Sequence, residues 1–563
     1  MTSVLTPGMG GPGRRRLIRL TIQSLRRPGA HTPPGVAPLL LGLALLIGFP
    51  GCAPREPRAD IVIINGGEPE TLDPAICTGQ PDGRVAAGLW EGLTRTDPSS
   101  AEPQPAIAER WEISPDGRVY TFHLRTNAVW STGEPITAED VVYSWRRVVN
   151  PATAADYAGQ LFFVRNGEEI ASGKISDPSR LGVEALDPHR LRVELVEPTA
   201  FFLDLCAFRT LAVVPRKTIE RYGDRWLLAK PLPTSGPYTL EAWRVNDKIR
   251  LRRNPRHWDA ANIRNEVIDM IHLESAMTSL NLFERHQADI IWDKTLIPME
   301  LVDILRTRPY THTFNYLATY FVRFNVTRPP FNDVRVRRAL AMAVDKRRIT
   351  THIMHGGERV ASAIVPPGTA GYEPPDGLPY DPAEARRLLA EAGYPGGKGF
   401  PPFEYLTNTA RQHEQVAVEL QEMWKRELGI TMELHNTEWK VFLADQSRVN
   451  FDLSRSSWVG DYNDPNTFLD MFMSSNGNNR TGWKNPRYDE LMKQGNALTD
   501  RARRAALLRE AERILVEQDL PVLPLFFYVG ITLYRPEEYD GIYPNMIDEH
   551  PMYCIGRKGA ARP

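Results

Sequence analysis

The sequence predicts an α/β or α+β protein of two or three domains, and three observations carry that reading. The chain has 563 residues, more than a single hydrophobic core accommodates. Its composition, 42% apolar and 24% charged, is that of an ordinary globular protein. From residue 61 onward, strand-like apolar runs alternate with segments of helical periodicity. The formal net charge of -1 offers no global basic field, which argues against nucleic acid as a partner.

The first 51 residues are read apart from the fold. They hold six arginines (14, 15, 16, 19, 26 and 27) and no acid; the first acidic residue is Glu56. An apolar run from Leu39 to Phe49 follows and ends at Pro50-Gly51-Cys52. A basic stretch, about ten apolar residues and then a small residue is the order of a secretory signal, and the run is short for a membrane span. A cysteine directly after the small residue resembles a bacterial lipobox, which implies cleavage before Cys52 and its lipidation. Phe49 and Pro50 depart from the usual lipobox residues, and the long basic stretch leaves room for a start downstream of Met1. Without the six arginines, 62 basic residues face 69 acidic ones, a mature charge near -7. Cys77, Cys206 and Cys554 then remain, without metal-ligand spacing. One disulfide among them, with one thiol over, suits an oxidising compartment.

In the mature chain, residues 53–60 read as a polar tether. Ile61-Val62-Ile63-Ile64 reads as a buried strand, broken by Gly66-Gly67-Glu68-Pro69. Arg118 to Leu124 alternates as a strand does. Thr137 and Asp140 form a capping-box pair at the head of a helix through Val142, Trp145 and Val149. Asp381, Pro382 and Gly393 suit the N-cap, first turn and stop of another. A long amphipathic helix is predicted over residues 413–428, with Val416, Leu420, Met423 and Trp424 on one face, and a third over 501–518. No internal repeat or low-complexity block interrupts this order.

Motifs for chemistry are missing. The sequence has no G-x-S-x-G elbow, no H-E-x-x-H, no C-x-x-C and no P-loop. The glycines between 8 and 13 follow no strand and open no phosphate-binding helix. Neither a cofactor nor a metal is expected, and the protein is read as a binder, not an enzyme. What stands out is Arg455-Ser456-Ser457-Trp458-Val459-Gly460-Asp461-Tyr462-Asn463-Asp464-Pro465: an arginine, two aromatics and acids ending in turn chemistry. Apolar walls with a few placed charges are what a binding cleft needs.

Several further stretches recur in one family. They are Pro69-Glu70-Thr71-Leu72-Asp73-Pro74, Glu91-Gly92-Leu93, residues 120–125 (YTFHLR), 130–140 (WSTGEPITAED), 234–238 (TSGPY), 253–255 (RNP), 330–337 (PFNDVRVR) and 461–465 (DYNDP). Together, in order and at family spacing over nearly all of residues 60–560, they resemble the family 5 extracytoplasmic solute-binding proteins, and among those the oligopeptide binders. The resemblance implies an α/β two-lobe clamshell, type II and cluster C, with an extra inserted domain. Domain I would comprise 60–98, 216–317 and 528–563, domain II the insert 99–215, and domain III 318–527; the crossings between I and III would be the hinge. It also implies a monomeric, lipid-anchored protein of the periplasm that passes short peptides to the permease subunits of an ABC importer. Rival readings keep the fold but bind a nickel chelate, sugar, opine or antibiotic, or bind peptide for sensing or as a chaperone.

The resemblance assigns residues as well. Asp461 stands where the family pairs the peptide α-ammonium. Trp458 and Trp439 match pocket-lining tryptophans, with Tyr462 beside the anchor. Arg455 and His413 match positions that receive the C-terminal carboxylate. Thr78 to Gln80 and Thr234 to Gly236 are expected to meet the peptide backbone. There are departures: Met354, with His355 next to it, replaces a lysine; Gln446 replaces an arginine, although Arg448 is near; Arg323 replaces an acid; and Ala318 and Val459 replace a cysteine pair. The ammonium end is thus expected intact and the carboxylate end altered.

Overall fold

The backbone is organised around one mixed sheet that two long strands cross from end to end. The structure is a computed structural model that describes residues 56–498 and 500–559. The signal-like segment and Cys52 lie outside the described residues, and everything from Ala59 on belongs to one compact unit.

In chain order, β1 (Ile61–Gly66) is followed by a short hairpin, β2 (Thr94–Thr96) and β3 (Pro103–Pro105). Strands β4 (Ala108–Ile113), β5 (Val119–Leu124), β6 (Val183–Asp187) and β7 (Arg190–Glu194) form a separate antiparallel sheet in the order β4-β5-β7-β6. The chain continues through β8 (Tyr238–Arg244), β9 (Lys248–Arg253), β10 (Val267–His272) and β11 (Ile290–Ile291) to β12 (Thr311–Phe324) and β13 (Arg359–Val360). Then come β14 (Phe403–Asn408), β15 (Met432–Thr437), β16 (Leu453–Val459) and β17 (Val522–Tyr534). The main sheet runs β15-β14-β16-β12-β17-β11-β1-β10-β9-β8, with β13 paired to β17.

The continuous apolar run of β1 has a direct cause. The strand pairs in parallel with both β10 and β11, and all six residues are buried. Ile61 and Ile63 face one core, and Val62 and Ile64 face another on the opposite side of the sheet.

Two lobes follow from how β12 and β17 pair. Residues 311–315 of β12 lie opposite 529–533 of β17, next to the core around β1. The register shifts between Asn315 and Thr319, after which β12 pairs with residues 522–527 and with β16. Beyond the shift the packing partners change. Tyr320, Val322 and Phe324 enter the core of the 411–428 helix, and Phe321 enters a core with Phe468 and Phe472. A ladder with a bulge bends more readily than a regular one.

The helices follow their start and stop signals. Thr137 and Asp140 form the reciprocal capping box at Ala138–Val149. Asp381 caps Pro382–Glu391 by accepting from the N–H groups of Ala383 and Glu384. The long amphipathic helix begins two residues earlier than its periodicity suggests, at Arg411. Its entry lacks a side-chain cap, so no residue type marks the boundary. Cys77, Cys206 and Cys554 are free thiols, so the disulfide left open by the sequence is not formed. Burial pushes the Cys77 thiol up to about 11 against the opposing charge of Arg209.

Candidate ligand-binding cleft

Between the two sets of cores lies a groove. Two adjoining cavities of about 710 and 680 Å³ share Gln80, Arg84, Trp292, Tyr316 and Asp548 on their walls. The first helix (Gln80–Leu89), the stretch from Trp90 to Thr96, residues 207–212, the end of β16 and residues 547–553 supply most of the first cavity.

The chain reaches the first cavity through a close backbone crossing. At the end of β16, Val459 lies opposite Ala318 on β12, and the Gly460 N–H donates to the Leu317 carbonyl at 2.7 Å. A Cβ on Gly460 would sit 2.6 Å from the Leu317 side chain, so a larger residue there would push that side chain aside. The next residue is Asp461. Its N–H donates to Thr467 Oγ1 at 3.2 Å, and the Trp458 indole N–H donates to the same oxygen at 3.4 Å. The following turn is locked by the Arg504 guanidinium, which holds both oxygens of Asp464 at 2.8 and 2.7 Å with both side chains buried. Trp458 and Asp461 thus come together on the cavity wall.

Asp461 is a carboxylate waiting for a cation. Among the described residues no ion pair reaches it. Burial pushes its pKa up to about 6, opposed by the nearby Arg209 charge. A cation seated there would relieve that desolvation.

The other assigned residues are placed differently. Arg455 is 5% exposed and already satisfied: Nε donates to Asn408 Oδ1 at 2.6 Å and Nη1 to Ser457 Oγ at 3.3 Å. Its guanidinium lies 4.9 Å over the Phe442 ring and 5.6 Å over the Trp439 ring. His413 joins this cluster, 5.6 Å from the Tyr320 ring. Burial and the Arg455 charge push its pKa down to about 4, which leaves the imidazole neutral at pH 7. Trp439 stacks on Phe442 and is 49% exposed. Arg455, His413 and Trp439 are brought together, but they line neither cavity; Arg411, Gln412 and Gln415 reach the second cavity from the same helix.

Tyr462 and Gly236 are not on the walls of these two cavities. Tyr462 stacks flat on Phe201 at 4.5 Å and donates to Asn466 Oδ1 at 2.7 Å. Gly236 is buried against the first helix. A Cβ there would meet the Gly88 carbonyl at 2.7 Å, so its glycine answers close backbone packing, and Pro237 and Tyr238 line the cavity instead. Thr234 and Ser235 are likewise fully enclosed, whereas Thr78 and Gln80 do face the cavity. Of the departures, Met354, Gln446 and Arg323 are buried, and His355 lines the second cavity. Sequence reasoning missed Arg209, Tyr157, Trp292 and Tyr316, which line the first cavity. They lie in unrelated segments with no shared motif, so only the fold reveals them.

Two lobes about a pair of long shared strands, with a groove between them lined by aromatics and by acids that lack an ion pair, define a ligand-capture protein of the clamshell class. The comparisons place it further. The family model for bacterial extracellular solute-binding proteins, family 5, matches residues 102–480, and the chain belongs to that family. It is 36% identical to the periplasmic oligopeptide-binding protein OppA of Salmonella typhimurium, over 85% of this chain and 89% of that one. It is 35% identical to the probable deoxycholate-binding periplasmic protein YgiS of Escherichia coli, over 88% and 92%. Its structure is similar to the unliganded open form of the murein tripeptide-binding protein MppA, with TM-score 0.78, 32% identity and coverage of 89% and 96%.

Proposed function

We propose that the protein captures short peptides outside the cytoplasmic membrane and delivers them to an ABC importer, without catalysing a reaction. The observation that carries this reading is Asp461: a partly enclosed carboxylate without a cation, on the wall of a groove with room for several residues. A peptide ammonium gives it a charge-assisted partner, and the extended backbone is free to add hydrogen bonds along the groove. At the other end, the internal bonding of Arg455 and the neutrality of His413 support a looser reading of the carboxylate. The hinge is assigned to the register shift of β12 and β17, between domains I and III as divided above. Ligand contacts made only in the closed form would favour closure. The protein is further read as a periplasmic monomer, anchored through a lipid on Cys52.

The test is calorimetric titration of the chain from residue 53, refolded to strip bound ligand, with tripeptides to pentapeptides and their N-acetylated forms. Binding that acetylation abolishes is the expected result; binding indifferent to acetylation overturns the reading. The kinship with a deoxycholate-binding protein favours a second reading, an amphipathic anion. An anion would face Asp461 with like charge, so deoxycholate binding that survives unchanged in Asp461→Asn would identify it.

A further inference from the structure

The first cavity also holds a cation without an ion pair. Arg209 lines it together with Asp461, and the Arg209 charge acts on the Asp461 carboxyl. The other cations on that wall are engaged: Arg84 with Asp293, and Arg95 with Asp259. Among the described residues, no carboxylate lies within ion-pair distance of Arg209, and its buried Nε has no hydrogen-bond partner.

The side chain is nonetheless held in place. It lies against the backbone of Gly83, where a Cβ would come 3.0 Å from its Nε and 3.1 Å from its Cζ. The guanidinium sits 4.9 Å from the Phe208 ring and 5.6 Å from the Tyr157 ring. A glycine on one side and aromatic rings on the others make a cradle for a fixed, partly desolvated fork. Such a fork matches a carboxylate in geometry and charge. Glu549, on the same wall, also feels the Arg209 charge but lies beyond ion-pair distance of it.

Resting on the peptide reading above, we infer that Arg209 makes the ammonium end of the cleft selective for peptides whose first residue is acidic. An N-terminal glutamyl or aspartyl residue carries an ammonium and a carboxylate a few bonds apart, one for Asp461 and one for Arg209. A neutral first residue offers Arg209 no carboxylate to pair with. A basic one adds a second cation to it.

Calorimetry with Glu-Ala-Ala, Ala-Ala-Ala and Lys-Ala-Ala tests this on the chain from residue 53, whose residues from Ala59 on form one compact unit. Glu-Ala-Ala is expected to bind about tenfold more tightly than Ala-Ala-Ala, and Lys-Ala-Ala least tightly. Arg209→Gln erases that order, and Arg209→Glu inverts it. Equal affinities in the unsubstituted protein overturn the inference without any variant, as does a preference that survives Arg209→Gln. If acetylation still abolishes binding in those cases, the peptide reading stands and this inference alone falls. If no free-amine peptide binds, both fall.

Discussion

The two places that the family resemblance gives to the ends of a peptide solve opposite problems. At one end Asp461 is enclosed, lacks an ion pair and has its pKa pushed up to about 6. At the other, Arg455 is enclosed and bonded to Asn408 and Ser457, with two rings beneath it, and His413 is neutral. The first group is destabilised until a ligand arrives. The second is satisfied without one. A binder of many sequences gains from one strict anchor, because a free ammonium is common to unblocked peptides whereas length sets where the carboxylate falls.

The largest expected effect breaks the strict end. Asp461→Ala leaves the peptide ammonium desolvated without its counter-charge, a loss of about 3–5 kcal/mol, or a few hundred-fold or more in affinity. Isothermal titration with a free-amine tripeptide measures it. A loss below about threefold would show that the ammonium sits elsewhere.

The next effect sharpens the same end through pH. Asp461 must be ionised to pair with an ammonium, and its pKa in the unliganded protein is about 6. Affinity is therefore expected to be highest near pH 7, to fall roughly tenfold per unit below pH 6, and to fall again toward pH 8 as the peptide's own ammonium deprotonates. His413, held to about 4, contributes no step between pH 6 and 7. Titrations from pH 5 to 8 with the same peptide check this, and a midpoint near 4 would contradict the enclosure of Asp461.

A third effect is on stability, and its sign is opposite to that on binding. The Asp461 pKa is raised on folding from 3.8 to about 6, so the folded state binds the proton more tightly than the unfolded state does. Below the unfolded value both states are protonated and no cost exists. The cost develops as pH rises through the folded value and is complete above it, at about 1–3 kcal/mol. Asp461→Asn is expected to stabilise the unliganded protein by that amount at pH 7.5 and by nothing at pH 3.5, while abolishing binding. Denaturant midpoints at the two pH values measure it; equal midpoints at pH 7.5 would show an unstrained carboxylate.

How much of this was legible in the sequence differs between the scaffold and the site. The capping box at Thr137, the Asp381-Pro382 start and the apolar run at Ile61 are local signals, and local physics decides them. The turn at Asn463-Asp464-Pro465 was legible as a turn, but not that Arg504, forty residues on, would lock it. Tyr462 shows the limit: beside Asp461 in sequence, it turns away from the two cavities and stacks on Phe201, more than 250 residues earlier in the chain. Arg209 and Asp461 are some 250 residues apart in the chain and line one cavity. No spacing rule links them.

The smallest effect tests the relaxed end. Arg455→Met removes the bond to Asn408 and the ring contacts but keeps much of the side chain's bulk, and is expected to cost about 1–2 kcal/mol of stability. Peptide affinity should change by less than about threefold, because the guanidinium lines neither cavity and its donors are already engaged. His413→Ala should do still less to affinity, since a neutral imidazole offers a carboxylate no charge. A hundredfold loss for peptides of one length in either variant would mean that closure frees Arg455 from Asn408 and recharges His413. The two ends would then be equally strict, and the difference between them would belong to the unliganded state alone.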